Sequence, residues 1–279
     1  MALSGYRGAQ TAVHSPSQEL KETLYNAAYH DGAHGLHASA AMAIVTAGDR
    51  VHFARLLQRF LQGLKSSLDG DHSHHAVVVG MTRGAKSLCD GLRAQYSHHC
   101  ALSSASRGHE GDDEEGDSSQ LAAELHKLEL VHEVLAFGYS AVYVELDTVF
   151  FHNPMQHLLS LQADVALPDN LCAVTINNKT LSGDRKLHQD TSLIFARAGP
   201  PASHFVHEWI NTHRHELHRD ISQGNLLRHN QAVLNEVPPT LRGPDKVPPA
   251  VRINALSQDR FPAGVPGPAA AWAASRWHR

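Results

Sequence analysis

Gly138 to Pro154 reads GYSAVYVELDTVFFHNP. A glycine stops a helix, and a nearly unbroken β-favouring run follows: Tyr139, Ala141, Val142, Tyr143, Val144 and Leu146. Such a run suits a buried strand of a parallel sheet. The strand runs straight into two acids, Glu145 and Asp147. Carboxylates there are costly unless they are paired, hydrogen-bonded or metal-bound. In open α/β sheets the carboxyl end of a strand is also where ligands bind. A spacing of one residue aims both acids the same way if the segment stays extended. They could then share one divalent cation with bound phosphates.

Composition bounds the answer. The 279 residues fit one large α/β domain or two small ones, and 42% hydrophobic residues suffice for a sizeable core. The net charge of −4 is local. Six acids lie between Glu110 and Asp117 with no base among them, so the remainder of the chain sums to +2. Nothing in this balance points to nucleic acid. The 23 histidines sit largely in Ala/Gly/Ser/His-rich segments, which reads as compositional bias rather than one metal site. Three cysteines, Cys89, Cys100 and Cys172, are too few for a disulfide framework but allow a single bridge. Met1 to Ser17 has no apolar core of signal-peptide length, and no stretch has the length and apolarity of a membrane span.

Outward from the central run, the chain alternates strands and helices. Ser15 reads as an N-cap with Pro16 at the first helical position and Gln18 in a capping box. Leu20, Leu24, Ala27 and Ala28 then form an apolar face. A Gly/His loop, Asp31 to Ala38, leads to the first buried strand, Ala41 to Thr46, with Asp49 as the next N-cap. Val51, Ala54, Leu57, Phe60, Leu61 and Leu64 recur at helical spacing. Ala76 to Gly80 is a second short strand, followed by a loop and helix over Met81 to Ala94. Ser103 to Ser119 reads as a solvated, disordered acidic insertion; its acids lack the spacing of a calcium loop. Leu121, Leu125, Leu128, Val131 and Leu135 line one helix face, with Lys127 off that stripe. Met155 to Leu161 is a short helix, and Ala163 to Leu167 a strand ending in Pro168-Asp169-Asn170. Asn177 to Asp184 is a polar loop, Leu193 to Ala196 a strand, and His204 to His218 a helix with Trp209 on its apolar face. His213, His215 and His218 read as a polar helix end, since no HExxH pattern supports a zinc site. His72, His74, His75, His98 and His99 read likewise. The rhythm predicts an α/β fold with a mostly parallel, right-handed sheet.

The stretch Glu145-Leu146-Asp147-Thr148-Val149-Phe150-Phe151-His152-Asn153-Pro154 resembles the metal-binding motif of GT-A-type nucleotide-diphospho-sugar transferases. It is nearest to a plant and algal branch of arabinosyl-, xylosyl- and galactosyltransferases. Lys127 and the helix stop Leu135-Ala136-Phe137-Gly138-Tyr139 stand in matching register. The resemblance spans roughly Ala41 to Gly264. It implies a GT-A-like, Rossmann-like single domain over residues 39–264. A helix and His/Gly loop over 1–38 would precede it, the insertion 103–119 interrupt it, and an Ala-rich tail over 265–279 follow.

The resemblance implies a metal-dependent glycosyltransferase using a nucleotide-diphosphate sugar, a UDP-sugar, with retention. The acceptor would be a glycan, such as a cell-wall glycan, or a glycoprotein. Mn²⁺ or Mg²⁺ would be held by Asp147, with Glu145 on the metal, its water or the donor ribose. Donor-binding positions would be Thr46, Lys127, Glu145, Asp147, Thr191 and Gly264. The catalytic set would be Asp147, Glu145, Asp190 and Gln231, the last two on the acceptor side. Asp169 is a further acid of the pattern. Each position also has a plainer reading: a βα turn at Thr46, a solvated lysine at Lys127, a turn former at Asp169. Four residues depart from the family pattern: Glu145 and Asn230 where it has Asp, Asp190 where it has Asn, and Ser192 where it has Gly. They keep open a catalytically impaired relative that binds nucleotide, glycan or a partner protein. A nucleotidyltransferase fits less well, because Thr46 to Arg50 is short and acidic rather than Gly-rich and Lys-bearing. The Golgi lumen is the location the resemblance implies.

Overall fold

The computed structural model describes residues 17–30, 41–104, 118–168, 191–223 and 251–256. In chain order the elements are α1 (Gln18–Ala27), β1 (Tyr29–His30), β2 (Ala41–Gly48), α2 (Arg50–His52), a π-helical turn (Phe53–Leu57) and α3 (Gln58–Lys65). Then come β3 (Ala76–Gly80), α4 (Arg83–Gly91), β4 (His99–Leu102), α5 (Ser118–Ala136), β5 (Ser140–Val144) and α6 (Pro154–Ser160). The rest are β6 (Val165–Pro168), β7 (Leu193–Ala196), α7 (Pro200–Gln223) and β8 (Ile253–Leu256).

The strands form one sheet in the order β4-β3-β2-β5-β7-β6-β8, with β1 paired to the start of β2. β4, β3, β2 and β5 are parallel, and β6 and β8 are parallel to each other. β7 runs antiparallel between β5 and β6. The α/β, mostly parallel architecture read from the sequence is the one observed. Side-chain alternation along buried strands divides the interior into two cores. Ala43, Val45, Ala141 and Tyr143 meet α1, α5 and α7 on one face. Met42, Ile44, Val142 and Val144 meet Phe53 to Leu64, α4 and α6 on the other.

Several local expectations are corrected. The first helix is capped by Ser17, not Ser15: the Ser17 hydroxyl accepts from the Leu20 N–H, and its own N–H donates to Glu133 on α5. The helix after Asp49 buries Phe53, Leu57, Phe60, Leu61 and Leu64, whereas Val51 and Ala54 face solvent. Phe53 sets that phase by filling the space left by Gly48, where a Cβ would lie 2.6 Å from its ring. The strands β1 and β4 were not foreseen, being two and four residues long. Ser103, expected in the solvated insertion, is buried and donates its N–H to the Gly80 carbonyl. Residues 105–117 of that insertion lie outside the described residues. A disulfide joins Cys89 of α4 to Cys100 of β4, the single bridge the cysteine count allowed.

Asp69 stitches the loop after α3 to the segment entering α6. It accepts from the Asn153 N–H at 2.8 Å, from the Ser67 hydroxyl at 2.6 Å and from His72 at 3.0 Å. Burial raises the Asp69 carboxyl, but the bonds from Ser67, Asn153 and His72 outweigh it and hold the group well below the usual carboxylate range. A depressed folded pKa adds stability above the unfolded value of about 4 and loses it as the pH falls further. Asp69→Asn is therefore expected to lower the urea midpoint at pH 7 by an amount worth up to about 1 kcal/mol, discounted for its exposure. The gap to the parent should narrow as the pH falls below about 4. A gap constant with pH would refute the assignment.

Close packing gives a second expectation. A Cβ on Gly80 would sit 2.6 Å from the Lys86 backbone nitrogen, while one on Gly91 would meet nothing within 4 Å. Gly80→Ala should cost about 1–3 kcal/mol as α4 is pushed off the sheet. Gly91→Ala should add about 0.5–1 kcal/mol from helix propensity. Thermal unfolding of both variants checks the contrast.

Candidate functional site

The strand order turns back at β2 and β5, since β3 and β4 lie to one side of β2 and β5 to the other. Ligands in open α/β sheets bind at the carboxyl ends of strands at such a switch point. Glu145 and Asp147 follow β5 at this end, and Thr46 lies near the corresponding end of β2.

The helix and the strand run back along each other, and this brings Lys127 within reach of Glu145. From Lys127 to the end of α5 the helix rises about 15 Å, and from Tyr139 to Glu145 the strand returns about 20 Å. Between them Gly138 adopts φ +85°, and the Gly138 and Tyr139 N–H groups bond back to Leu135 and Val134. This is the left-handed helix stop that glycine makes at little cost. The result is a hydrogen-bonded ion pair: Lys127 Nζ donates to Glu145 Oε1 at 2.6 Å. Lys127 is only 3% exposed. The solvated-lysine reading is thus excluded, because a buried ammonium needs its partner. The Lys127 ammonium also lies 5.6 Å from the centre of the Tyr143 ring, within cation–π range.

The backbone around the acids differs from the extended geometry expected. The Glu145 N–H makes a ladder bond to the Ser192 carbonyl, and the Thr148 N–H then bonds back to the Glu145 carbonyl. The chain turns between the two acids. Leu146 anchors that turn, buried at 7% exposure and near Gly48 at the end of β2. Asp147 is exposed, while Glu145 is partly exposed.

Thr191 and Ser192 lead into β7 beside Glu145; Thr191 is buried and Ser192 half-buried. Thr46 is buried in β2, and its hydroxyl has no hydrogen-bond partner. By strand alternation it shares the face of Met42 and Ile44, opposite the face on which Lys127 meets Glu145. The structure therefore brings Lys127, Glu145, Asp147 and Ser192 to one strand end, and does not bring the Thr46 side chain to their side. Asp169, Asp190, Gln231, Asn230 and Gly264 lie outside the described residues, as does the loop 177–184.

One residue at this corner escaped the sequence reading. His213 is not at a polar helix end, because α7 continues to Gln223. It is 1% exposed, and neither ring nitrogen has a hydrogen-bond partner. Burial, then the charge of Lys127, hold its imidazole below the ordinary value, in the neutral form. The signal was present in the spacing: His213 is one turn past Trp209 on the face that also buries Phe205, Val206 and Ile210. The neighbouring Arg214 donates to Glu129 Oε1 at 2.5 Å and ties α7 to α5.

No curated protein matches the chain in sequence. Among solved structures it is similar to the glycosyltransferase GlyE of Streptococcus pneumoniae TIGR4, at 11% identity and a TM-score of 0.42. That likeness covers 78% of this chain and 46% of GlyE, so the chain spans less than half of GlyE's length. The galactosyltransferase LgtC with donor and acceptor sugar analogues is similar at 12% identity and a TM-score of 0.42, covering 70% of this chain and 69% of LgtC. An active-site mutant of LgtC gives 10% identity and a TM-score of 0.46, over 81% and 79%. The sequence profile described as nucleotide-diphospho-sugar transferase matches residues 72–259, two thirds of the chain, including Lys127, Glu145 and Asp147. By that match this chain belongs to the nucleotide-diphospho-sugar transferase family.

Proposed function

We propose that the chain is a metal-dependent glycosyltransferase. It moves a sugar from a nucleotide-diphosphate donor, a UDP-sugar, to a glycan or glycoprotein hydroxyl with retention at the anomeric carbon. The observation that carries this reading is the pairing of the buried Lys127 with Glu145, next to the exposed Asp147, at the carboxyl end of β5.

The donor set fits a hard divalent cation. Asp147 and Glu145 supply carboxylate oxygens, the ligands that Mn²⁺ or Mg²⁺ prefer. Asp147 would be the principal ligand, and Glu145, with Oε1 committed to Lys127, would support the metal shell or the donor ribose. When bound, the cation offsets the negative charge that grows on the departing diphosphate. Lys127 holds the Glu145 carboxylate in one position and, itself buried, adds fixed positive charge beside the strand end. Tyr143 and the α5–α7 core keep water from that ammonium. Asp190 and Gln231 are proposed for the acceptor side and Thr191 for the donor side.

A second reading has one observation in its favour. With Lys127 already paired to Glu145, one of the two acids is neutralised without a cation, which suits a family member that binds nucleotide, glycan or a protein without turnover. Calorimetric titration of UDP separates the two. The transferase reading expects micromolar binding that needs Mn²⁺, is lost in Asp147→Ala, and weakens by at least ~10-fold, or ~1.4 kcal/mol, in Lys127→Met. Mn²⁺-dependent release of UDP from a UDP-sugar should accompany it. Binding indifferent to both Mn²⁺ and Asp147 would sink the transferase reading.

A further inference from the structure

Cys89, His98 and Cys100 lie together, with their sulfur and ring-nitrogen atoms all within 4.8 Å of one another. All three are buried, at 0%, 4% and 2% exposure. Two chemistries suit such a cluster: a metal held by two thiolates and an imidazole, or a disulfide with a histidine beside it.

The number of ligands and the placing of the two cysteines decide between them. One His98 ring nitrogen faces the Tyr96 carbonyl at 3.1 Å, and the other faces the Cys89 carbonyl at 3.1 Å. Burial holds this imidazole below its ordinary value, and the neutral ring has one N–H, which donates to one of the two carbonyls. The other nitrogen keeps its lone pair and could offer it to a metal. Even then the cluster would supply three ligands, and no fourth His, Cys, Asp or Glu joins it among the described residues. The cysteines, in contrast, stand with Cα atoms 6.0 Å apart, inside the range a bridge spans without moving the backbone. His98 stands just before β4 and faces the Cys89 carbonyl in the last turn of α4. It therefore stands at the joint that the bridge makes covalently.

The joint matters because β4 is the outermost strand on its side of the sheet and is four residues long. Among the described residues it pairs only with β3, in parallel. Just past it, Ser104 donates to Glu133 on α5, the helix that carries Lys127. A short edge strand with one neighbour is the part of a sheet that opens most easily.

We infer that Cys89 and Cys100 are closed during folding by thiol–disulfide exchange with an oxidised dithiol carrier, so that the chain matures in an oxidising compartment and the bridge locks β4 to α4. The two thiols lose two protons and two electrons and form one S–S bond, and the carrier's disulfide is reduced to a dithiol. Structural bridges persist in oxidising compartments and are rare in reducing ones.

The test uses protein recovered from its own cells, with thiols alkylated at lysis before unfolding. Cleavage after Arg93 separates the two cysteines, so a bridge appears as a cross-linked peptide pair that a reductant releases. Both cysteines carrying the alkyl label without reduction would overturn the inference. Reduction, and separately a Cys89→Ala/Cys100→Ala variant, should lower Tm by roughly 5–10 °C. Either should speed amide exchange in β4 while leaving β5 unchanged; an unchanged Tm and exchange pattern would refute the locking role. Stoichiometric zinc binding by the recovered protein, protecting both thiols, would establish the metal site in place of the bridge. None of these readouts depends on transferase activity.

Discussion

A single buried ammonium organises the corner on which the proposed function depends. Lys127 has almost no access to water, and the hydrogen bond it donates to Glu145 offsets the cost of burying its charge. That pairing fixes how far α5 runs back along β5, where the chain reverses at Gly138, and which face of the sheet carries the acid. Few arrangements of helix and strand satisfy all three at once.

The rest of the architecture holds this corner in place. Leu146 is drawn against the end of β2 because Gly48 leaves room for it and for Phe53. The Ser192 carbonyl completes the ladder at Glu145, so the antiparallel β7 fixes the strand end where the acids emerge. Beyond Asp147, Asp69 and Ser67 hold the segment from Phe151 to Asn153, and the Asn153 side chain caps α6. The turn carrying the acids is thus anchored on both sides, while Asp147 itself stays exposed. An exposed acid on a fixed turn suits a group that must meet a ligand from solvent.

Charge and polarity on α5 and α7 follow the same logic. Glu129 is held ionised, because bonds from His126 and Arg214 outweigh the burial that would raise it. His213 is kept neutral by burial and by Lys127. The seam between the helices therefore carries the Arg214–Glu129 ion pair and an uncharged imidazole near the site. This gives α7 a role beyond covering the sheet.

Much of this was legible in consecutive residues. The strands Ala76–Gly80 and Leu193–Ala196, the stop at Gly138, the cap at Asp49 and the acids after β5 are written in short-range patterns of hydrophobicity and backbone preference. The resemblance carried by Lys127 and the Glu145–Pro154 stretch added the family. What stayed hidden depended on contacts between distant segments. Ser17 rather than Ser15 caps α1, and its N–H reaches Glu133, over a hundred residues away. Phe53, not Val51, is buried because a glycine on the neighbouring strand leaves space for it. Strand β4 is too short to announce itself and exists only because β3 lies beside it. Periodicity can say that a lysine lies off an apolar stripe. Only the return of β5 along α5 decides whether that lysine meets water or a carboxylate, because the energy of a charge is set by what surrounds it in space.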